Sequence, residues 1–108
     1  MLDMYLTMET ISHGNLKNIT LEQVLKALGD PVRISIVRQL LNDKSAEIAC
    51  GDFDYSVTKA TFSHHMQILR DAGVIRTRQE GTRRISCLRT EDLRKRFPGL
   101  LEMIVAVK

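Results

Sequence analysis

Tryptophan is absent from this chain, and cysteine and proline each occur only twice. Two thiols, Cys50 and Cys87, are too few to staple a disulfide scaffold, and nothing in the composition points to an oxidising compartment. Strictly apolar runs last only a few residues, which leaves no segment able to cross a membrane as a helix. The amino-terminal stretch lacks a basic region followed by an apolar core and a small-residue cleavage site, so a cytoplasmic protein is expected. A Gly-rich phosphate loop, an HExxH motif and a paired catalytic carboxylate motif are all missing. An enzyme is therefore not expected; a thiol hydrolase joining Cys50 to His64 or His65 is the weakest of the readings weighed.

What is present is an ordinary globular balance: 108 residues, 44% hydrophobic and 27% charged, enough for one modest core. The net charge of +3 is distributed unevenly. Residues 1–55 carry five Lys/Arg against eight Asp/Glu, whereas residues 56–97 carry ten Lys/Arg against four Asp/Glu. A basic half on a mildly acidic half is the footprint of a nucleic-acid binder, although a merely solvated basic surface looks the same until a shape is attached to it.

The pattern along the chain supplies the shape. Residues 1–15 are weakly patterned and are expected to be frayed, or to form an arm packed on a partner subunit. Thr20 with Gln23 makes a capping box ahead of Leu21, Val24, Leu25 and Leu28, and Gly29 ends that helix. Asp30-Pro31 opens a second helix over roughly 31–43, with Ile36, Val37, Leu40 and Leu41 on one stripe. Residues 44–57 are ambiguous: Ser45-Ala46-Glu47-Ile48-Ala49-Cys50 fits either a helical turn or a short extended piece, and Gly51-Asp52-Phe53-Asp54-Tyr55 reads as loop. Thr58 caps a third helix running to Gly73. On a wheel of ~100° per residue, Phe62, His65, Met66, Leu69 and Ala72 take one side, and Ala60, Ser63, His64, Gln67 and Asp71 the other.

Small hydrogen-bonding groups on an outer face let a helix backbone approach another surface closely. The period then changes to two: residues 74–79 and 82–88 read as a β-hairpin around a Glu80-Gly81 turn, with Arg76, Arg78, Arg83, Arg84 and Arg89 supplying most of its charge. Thr90 is expected to cap a further helix. Pro98-Gly99 interrupts, and residues 100–107 are apolar except for Glu102. A short tail helix greasy on most sides is expected to pack on a second copy, the alternative being that it folds back on its own domain.

Helix, turn, helix and arginine-rich hairpin is the order of a winged helix-turn-helix. The expected fold is therefore mainly α with a small β-hairpin, dimeric through terminal helices. Residues 1–15 form an arm, 16–97 the DNA-binding domain and 98–108 a dimerisation helix. A B-DNA major groove admits one α-helix, whose N-terminal half meets the base edges, while guanidinium groups of the hairpin neutralise neighbouring phosphates or enter the minor groove. The candidate DNA contacts are Lys59, Ala60, Thr61, Ser63, His64 and Gln67 on the helix, with Arg83 and Arg84 on the wing.

Two segments also resemble a known family. Leu25-Lys26-Ala27-Leu28-Gly29-Asp30-Pro31-Val32-Arg33 is similar to the LKALADPTRL opening of the ArsR (arsenical-resistance repressor) regulators. Residues 61–75, TFSHHMQILRDAGVI, resemble their recognition-helix signature TVSHHLKVLREAGLV, and Glu80-Gly81-Thr82-Arg83-Arg84 fits the wing tip. The likeness spans roughly residues 21–90. It implies a homodimeric bacterial repressor that binds a palindromic operator and is released by an inducer.

The family's metal-site patterns are broken here. Where a Cys-x-Cys pair is usual, Ile48-Ala49-Cys50-Gly51-Asp52 offers one thiol, and residues 90–108 contain no His. Adjacent His64 and His65 point ~100° apart and do not chelate as an i, i+4 pair. No metal and no cofactor are expected. Cys50, with Cys87 as partner, is a candidate redox sensor; ordinary buried thiols are the plainer alternative. The functional expectation is a sequence-specific, double-stranded-DNA-binding repressor with no membrane association. The rival is a winged-helix protein-interaction module that has lost DNA binding.

Overall fold

In the computed structural model, which describes residues 11–107, the chain turns where its polar capping residues stand. Thr20 closes a capping box on α1 (Leu21–Leu28): its Oγ1 accepts from the Gln23 amide at 3.1 Å, and its own amide donates to Gln23 Oε1 at 2.9 Å. Asp30 caps α2 (Pro31–Asn42), one carboxylate oxygen accepting from the amides of Val32 (2.9 Å) and Arg33 (3.1 Å). Pro31 occupies the first turn, where a missing N–H costs nothing. Val24, Ala27 and Leu28 of α1 and Ile36, Val37 and Leu40 of α2 enter the core. Leu21 and Leu25, on the same sequence stripe as Val24 and Leu28, instead stand 47% exposed.

The ambiguous segment after α2 resolves as extended. β1 (Glu47–Ala49) leads into a 3-10 turn at Cys50–Asp52. Its three residues had no alternation long enough to announce a strand; it forms because β3 has a free edge to lend. Next comes α3 (Lys59–Asp71), capped by Thr58, whose Oγ1 accepts from the Thr61 amide at 3.1 Å. It ends in a Schellman pattern: the Gly73 amide donates to Arg70 O and the Val74 amide to Leu69 O, both at 3.0 Å. Gly73 takes φ +74°, which a side chain would strain.

β2 (Ile75–Glu80) and β3 (Arg83–Leu88) form the wing. Their register pairs Ile75 with Leu88 and Glu80 with Arg83, so Gly81 and Thr82 make the turn. That turn lies one residue later than the expected Glu80-Gly81, because the Glu80–Arg83 pair extends the ladder. β1 adds to the other edge of β3, with Ala49 opposite Ile85, and the expected hairpin becomes a three-stranded antiparallel sheet of order β1-β3-β2.

Arg89, not Thr90, holds the cap position of α4 (Thr90–Arg96), with no side-chain cap bond, so Thr90 is already helical. Glu91 and Asp92 in the first turn and Arg94, Lys95 and Arg96 in the last still complement the helix dipole. The last helix is α5 (Leu100–Ala106). It buries Leu100, Leu101 and Ile104 in its own domain's core and leaves Met103 and Val105, with Val107 at its C-cap, more than half exposed. One core joins all five helices to the sheet: Val24, Ile36, Leu40, Met66, Leu69, Ile75, Leu93 and Leu101 are almost fully withdrawn from solvent.

The described part of the expected arm lies on its own domain. His13 Nε2 accepts from the Thr77 amide on the free edge of β2 at 3.0 Å, and the Gly14 amide donates to Arg70 O at 2.9 Å. A Cβ on Gly14 would run into the Asp71 carbonyl, so the close crossing requires glycine there. Residues 1–10 of the arm lie outside the described residues.

Candidate nucleic-acid interface

The inner face of α3 is fixed from two sides. Phe62 is packed between Tyr55, stacked on it with ring centres 3.9 Å apart, and Phe53 at 5.6 Å. The segment that sequence patterning left ambiguous thus supplies the aromatic support of the helix. From the other side Arg33 reaches over the α1–α2 corner, donating from Nε to Ala27 O at 2.6 Å and lying 3.0 Å from His65 Nδ1. The same carboxylate that caps α2, Asp30, stands 3.8 Å from that ring nitrogen. Burial raises the Asp30 carboxyl, but bonds from the Arg33 and Val32 amides, with the charges of Arg33 and His65, more than offset this and hold it below the usual carboxylate range. His65 is therefore spent on orienting α3, while its neighbour His64 stands outside.

With the inner face anchored, the outer face presents Lys59, Ala60, Thr61, Ser63 and His64, all exposed. The Thr61 hydroxyl accepts from Thr58 Oγ1 at 2.9 Å, so its own proton is free to donate outward. This face begins at the N-terminus of a 13-residue helix, where free amides and the dipole favour negative charge.

Gln67 is placed differently. It is half-buried, and its amide is committed on both sides: Nε2 donates to Asp71 Oδ1 and Oε1 accepts from Arg70 Nη2, each at 2.7 Å. These two bonds fix its orientation and leave one amide proton and one carbonyl lone pair unused.

The wing arginines separate into two groups. Arg78 is held by a bidentate pair with Glu47 of β1 (2.8 and 3.0 Å) and by Glu80 (2.7 Å), and Arg89 is tied to Asp92 at 3.2 Å. Arg83 and Arg84 stand exposed at the tip; Arg84 Nε donates to Gln79 Oε1 at 3.2 Å, and Arg83 has only a loose 3.6 Å approach to exposed Asp52. An exposed pair of that kind is worth about 0–1 kcal/mol and yields readily to a phosphate. Arg76 on β2 is exposed as well, with no side-chain hydrogen bond or ion pair among the described residues, so Arg83 and Arg84 share their availability with it.

The two cysteines are not brought together. Cys87 pairs with Glu47, three residues from Cys50, so roughly 9–10 Å of strand separates them where a disulfide needs Cα atoms about 6 Å apart. Burial pushes the Cys50 thiol up, against the pull of Arg70 and Arg84, and so disfavours the reactive thiolate. Among the described residues no three His, Cys, Asp or Glu side chains gather as metal ligands.

Sequence reasoning missed Arg70. It follows Met66 by four residues and so shares the inner stripe of α3, yet it carries a charge there and is only 6% exposed. A cation on an otherwise apolar stripe was the available signal.

Comparison with known proteins agrees with this geometry. Residues 28–78 match the model of a helix-turn-helix domain family. The chain is 33% identical over 84 residues to the HTH-type transcriptional regulator YceK of Bacillus subtilis, covering 76% of this chain and 83% of that protein. It is 38% identical over 61 residues to an HTH-type regulator of Methanocaldococcus jannaschii (56% and 67% covered). It is 33% identical over 63 residues to the transcriptional repressor SdpR of Bacillus subtilis (56% and 67% covered). A crystal structure of an ArsR family transcriptional regulator superposes with a TM-score of 0.62 at 22% identity, over 80% of this chain and 87% of that one. No helix among the described residues is long and apolar enough to cross a membrane. The chain belongs to the HTH-type transcriptional regulators, and its winged helix-turn-helix fold is that of the ArsR family.

Proposed function

We propose that this protein is a homodimeric DNA-binding repressor that occupies a palindromic operator and leaves it when a small-molecule inducer binds. The observation that carries the reading is the pairing of an anchored α3, whose outer face holds only short or hydrogen-bonding side chains beside Lys59, with two available arginines at the wing tip. Lys59, Ala60, Thr61, Ser63 and His64 enter the major groove, while Arg83 and Arg84 neutralise phosphates on the neighbouring backbone. Exposed Met103 and Val105 on α5, with Val107 just beyond it, supply the apolar surface for a second copy, and two-fold symmetry of the protein then requires two-fold symmetry of the site. Repression accords with the activity named for the relative SdpR. The separation of Cys50 from Cys87 favours an inducer over a disulfide between them as the release signal.

Selection of binding sites from random duplexes tests this directly. The expected result is a palindromic consensus, with affinity falling steeply as salt rises. A protein that sediments as a monomer at working concentration, or ignores duplex DNA in dilute buffer, overturns the reading.

A further inference from the structure

Between the inner edge of α3 and the wing lies a cleft of about 460 Å³, within the range of small-molecule sites. Its lining has two characters. Tyr55, Phe62 and Met66 give it an apolar wall; Lys59, Arg70, Arg83 and Arg84 give it four cations against the single carboxylate of Asp52. Arg70 is the unusual member. It is only 6% exposed, its Nη2 donates to Gln67, and its Nε has no hydrogen-bond partner among the described residues. A buried guanidinium donor left unmatched is costly, and in a native structure it calls for an explanation such as a bound water, ion or ligand. Burial, reinforced by the repulsion of Arg84, lowers the Arg70 pKa, and a bound anion relieves both penalties.

We propose that this cleft binds a small organic acid, with its carboxylate or phosphate on Arg70 and its apolar body against Tyr55, Phe62 and Met66, and that this acid is the releasing signal. Its regulatory consequence rests on the DNA-binding reading above; the binding itself does not. A backbone phosphodiester of the operator brings only the small C–H surface of its sugars, a poorer match to an aromatic and thioether wall than an apolar acid, which favours the small molecule as occupant. Lys59, Arg83 and Arg84 line the cleft and also belong to the DNA-facing surface. An acid held among them satisfies cations that phosphates otherwise take up, and fixes the spacing of helix and wing. By linkage, operator DNA weakens the acid by the same factor as the acid weakens the DNA.

The test uses the full chain labelled with nitrogen-15, benzoate and phenyl phosphate as probes, and benzamide and inorganic phosphate as controls. Benzoate and phenyl phosphate are expected to move the Arg70 Nε–H resonance saturably; benzamide should not, and inorganic phosphate should bind at least about tenfold more weakly because it leaves the apolar wall empty. At constant ionic strength, saturating benzoate should weaken binding to a selected duplex about tenfold, and the duplex should weaken benzoate equally. Arg70→Gln should abolish the benzoate response and leave duplex affinity unchanged. No saturable shift at Arg70, or equal binding of inorganic phosphate and benzoate, overturns the proposal. So does a loss of duplex affinity in Arg70→Gln without added acid, which would give the cleft to a backbone phosphate. If that variant does not fold, the wild-type titration decides alone. If the chain binds no duplex at all while benzoate still moves Arg70, the DNA reading fails and the acid site stands.

Discussion

Helices α3 and α5 both sink one face into the same core, yet they offer opposite surfaces outward. α3 shows hydroxyls, an imidazole, a lysine and an alanine. α5 and its C-cap show Met103, Val105 and Val107, each more than half exposed. A surface of short polar groups does not gain by leaving water for an apolar partner, but it exchanges hydrogen bonds readily with base edges and phosphates. An exposed methionine and two valines gain nothing from phosphates and about 25 cal/mol for each Å² they bury. Inward burial is therefore a shared requirement of folding, and the outward residues are what distinguish the helix proposed to read DNA from the helix proposed to pair two copies.

The comparison breaks most severely if the outer face of α5 is made polar. Met103→Asp combined with Val105→Asp alters only exposed positions, so thermal stability of the monomer should change little. The dimer should dissociate in sedimentation, and operator affinity should fall by about a hundredfold or more as two-site binding is lost. An unchanged dimer assigns pairing to another surface, for which exposed Leu21 and Leu25 are available.

A smaller effect is expected at the wing. Arg83→Ala with Arg84→Ala should weaken binding to every sequence and reduce the salt dependence by about two units at most, one for each phosphate contact. Arg78→Ala should alter DNA binding far less, because its charge is already matched by Glu47 and Glu80. Equal losses in the two variants would show that those internal pairs open on DNA.

Ser63→Ala and His64→Ala sharpen the comparison in another way. Each should change which base is preferred at one position of each half-site, by about 1–3 kcal/mol of discrimination, with the salt slope nearly intact. Site selection repeated with each variant reads this out.

The smallest effect concerns the strap at residues 13–14. Burial, helped by the charges of Arg70, Arg76 and Arg89, lowers the His13 pKa, although a backbone bond involving Ile11 opposes this. The folded state thus prefers neutral His13, which accepts from the Thr77 amide. As pH falls below about 6.5 the unfolded chain binds the proton first, so stability drops until the folded His13 is protonated too. His13→Ala should flatten that part of the curve in denaturant titrations between pH 7 and pH 5; an unaltered slope would assign it to other groups.

Much of the scaffold was legible because its signals are local. Capping at Thr20, Asp30 and Thr58 places acceptor and amide two or three residues apart, and the stripe carrying Phe62, Met66 and Leu69 repeats at helical spacing. Strand β1 was obscure because three residues carry too little alternation, and its stability comes from pairing with β3. The misplaced Thr90 cap has the same kind of cause: a capping residue type marks the position only when the tertiary path lets the side chain fold back on the helix.

By itself the sequence determined where the first three helices start, which of their faces turn inward, and that basic charge gathers in the second half of the chain. Only the tertiary structure decided which of those charges remain available. Arg78 meets a carboxylate 31 residues away, Gln67 is committed to its neighbours, and Arg70 is enclosed with a donor to spare. Helical and strand periods are properties of contiguous residues, whereas the neutralisation of a charge depends on what the fold brings within about 4 Å of it, and the electrostatic energy is set at that distance.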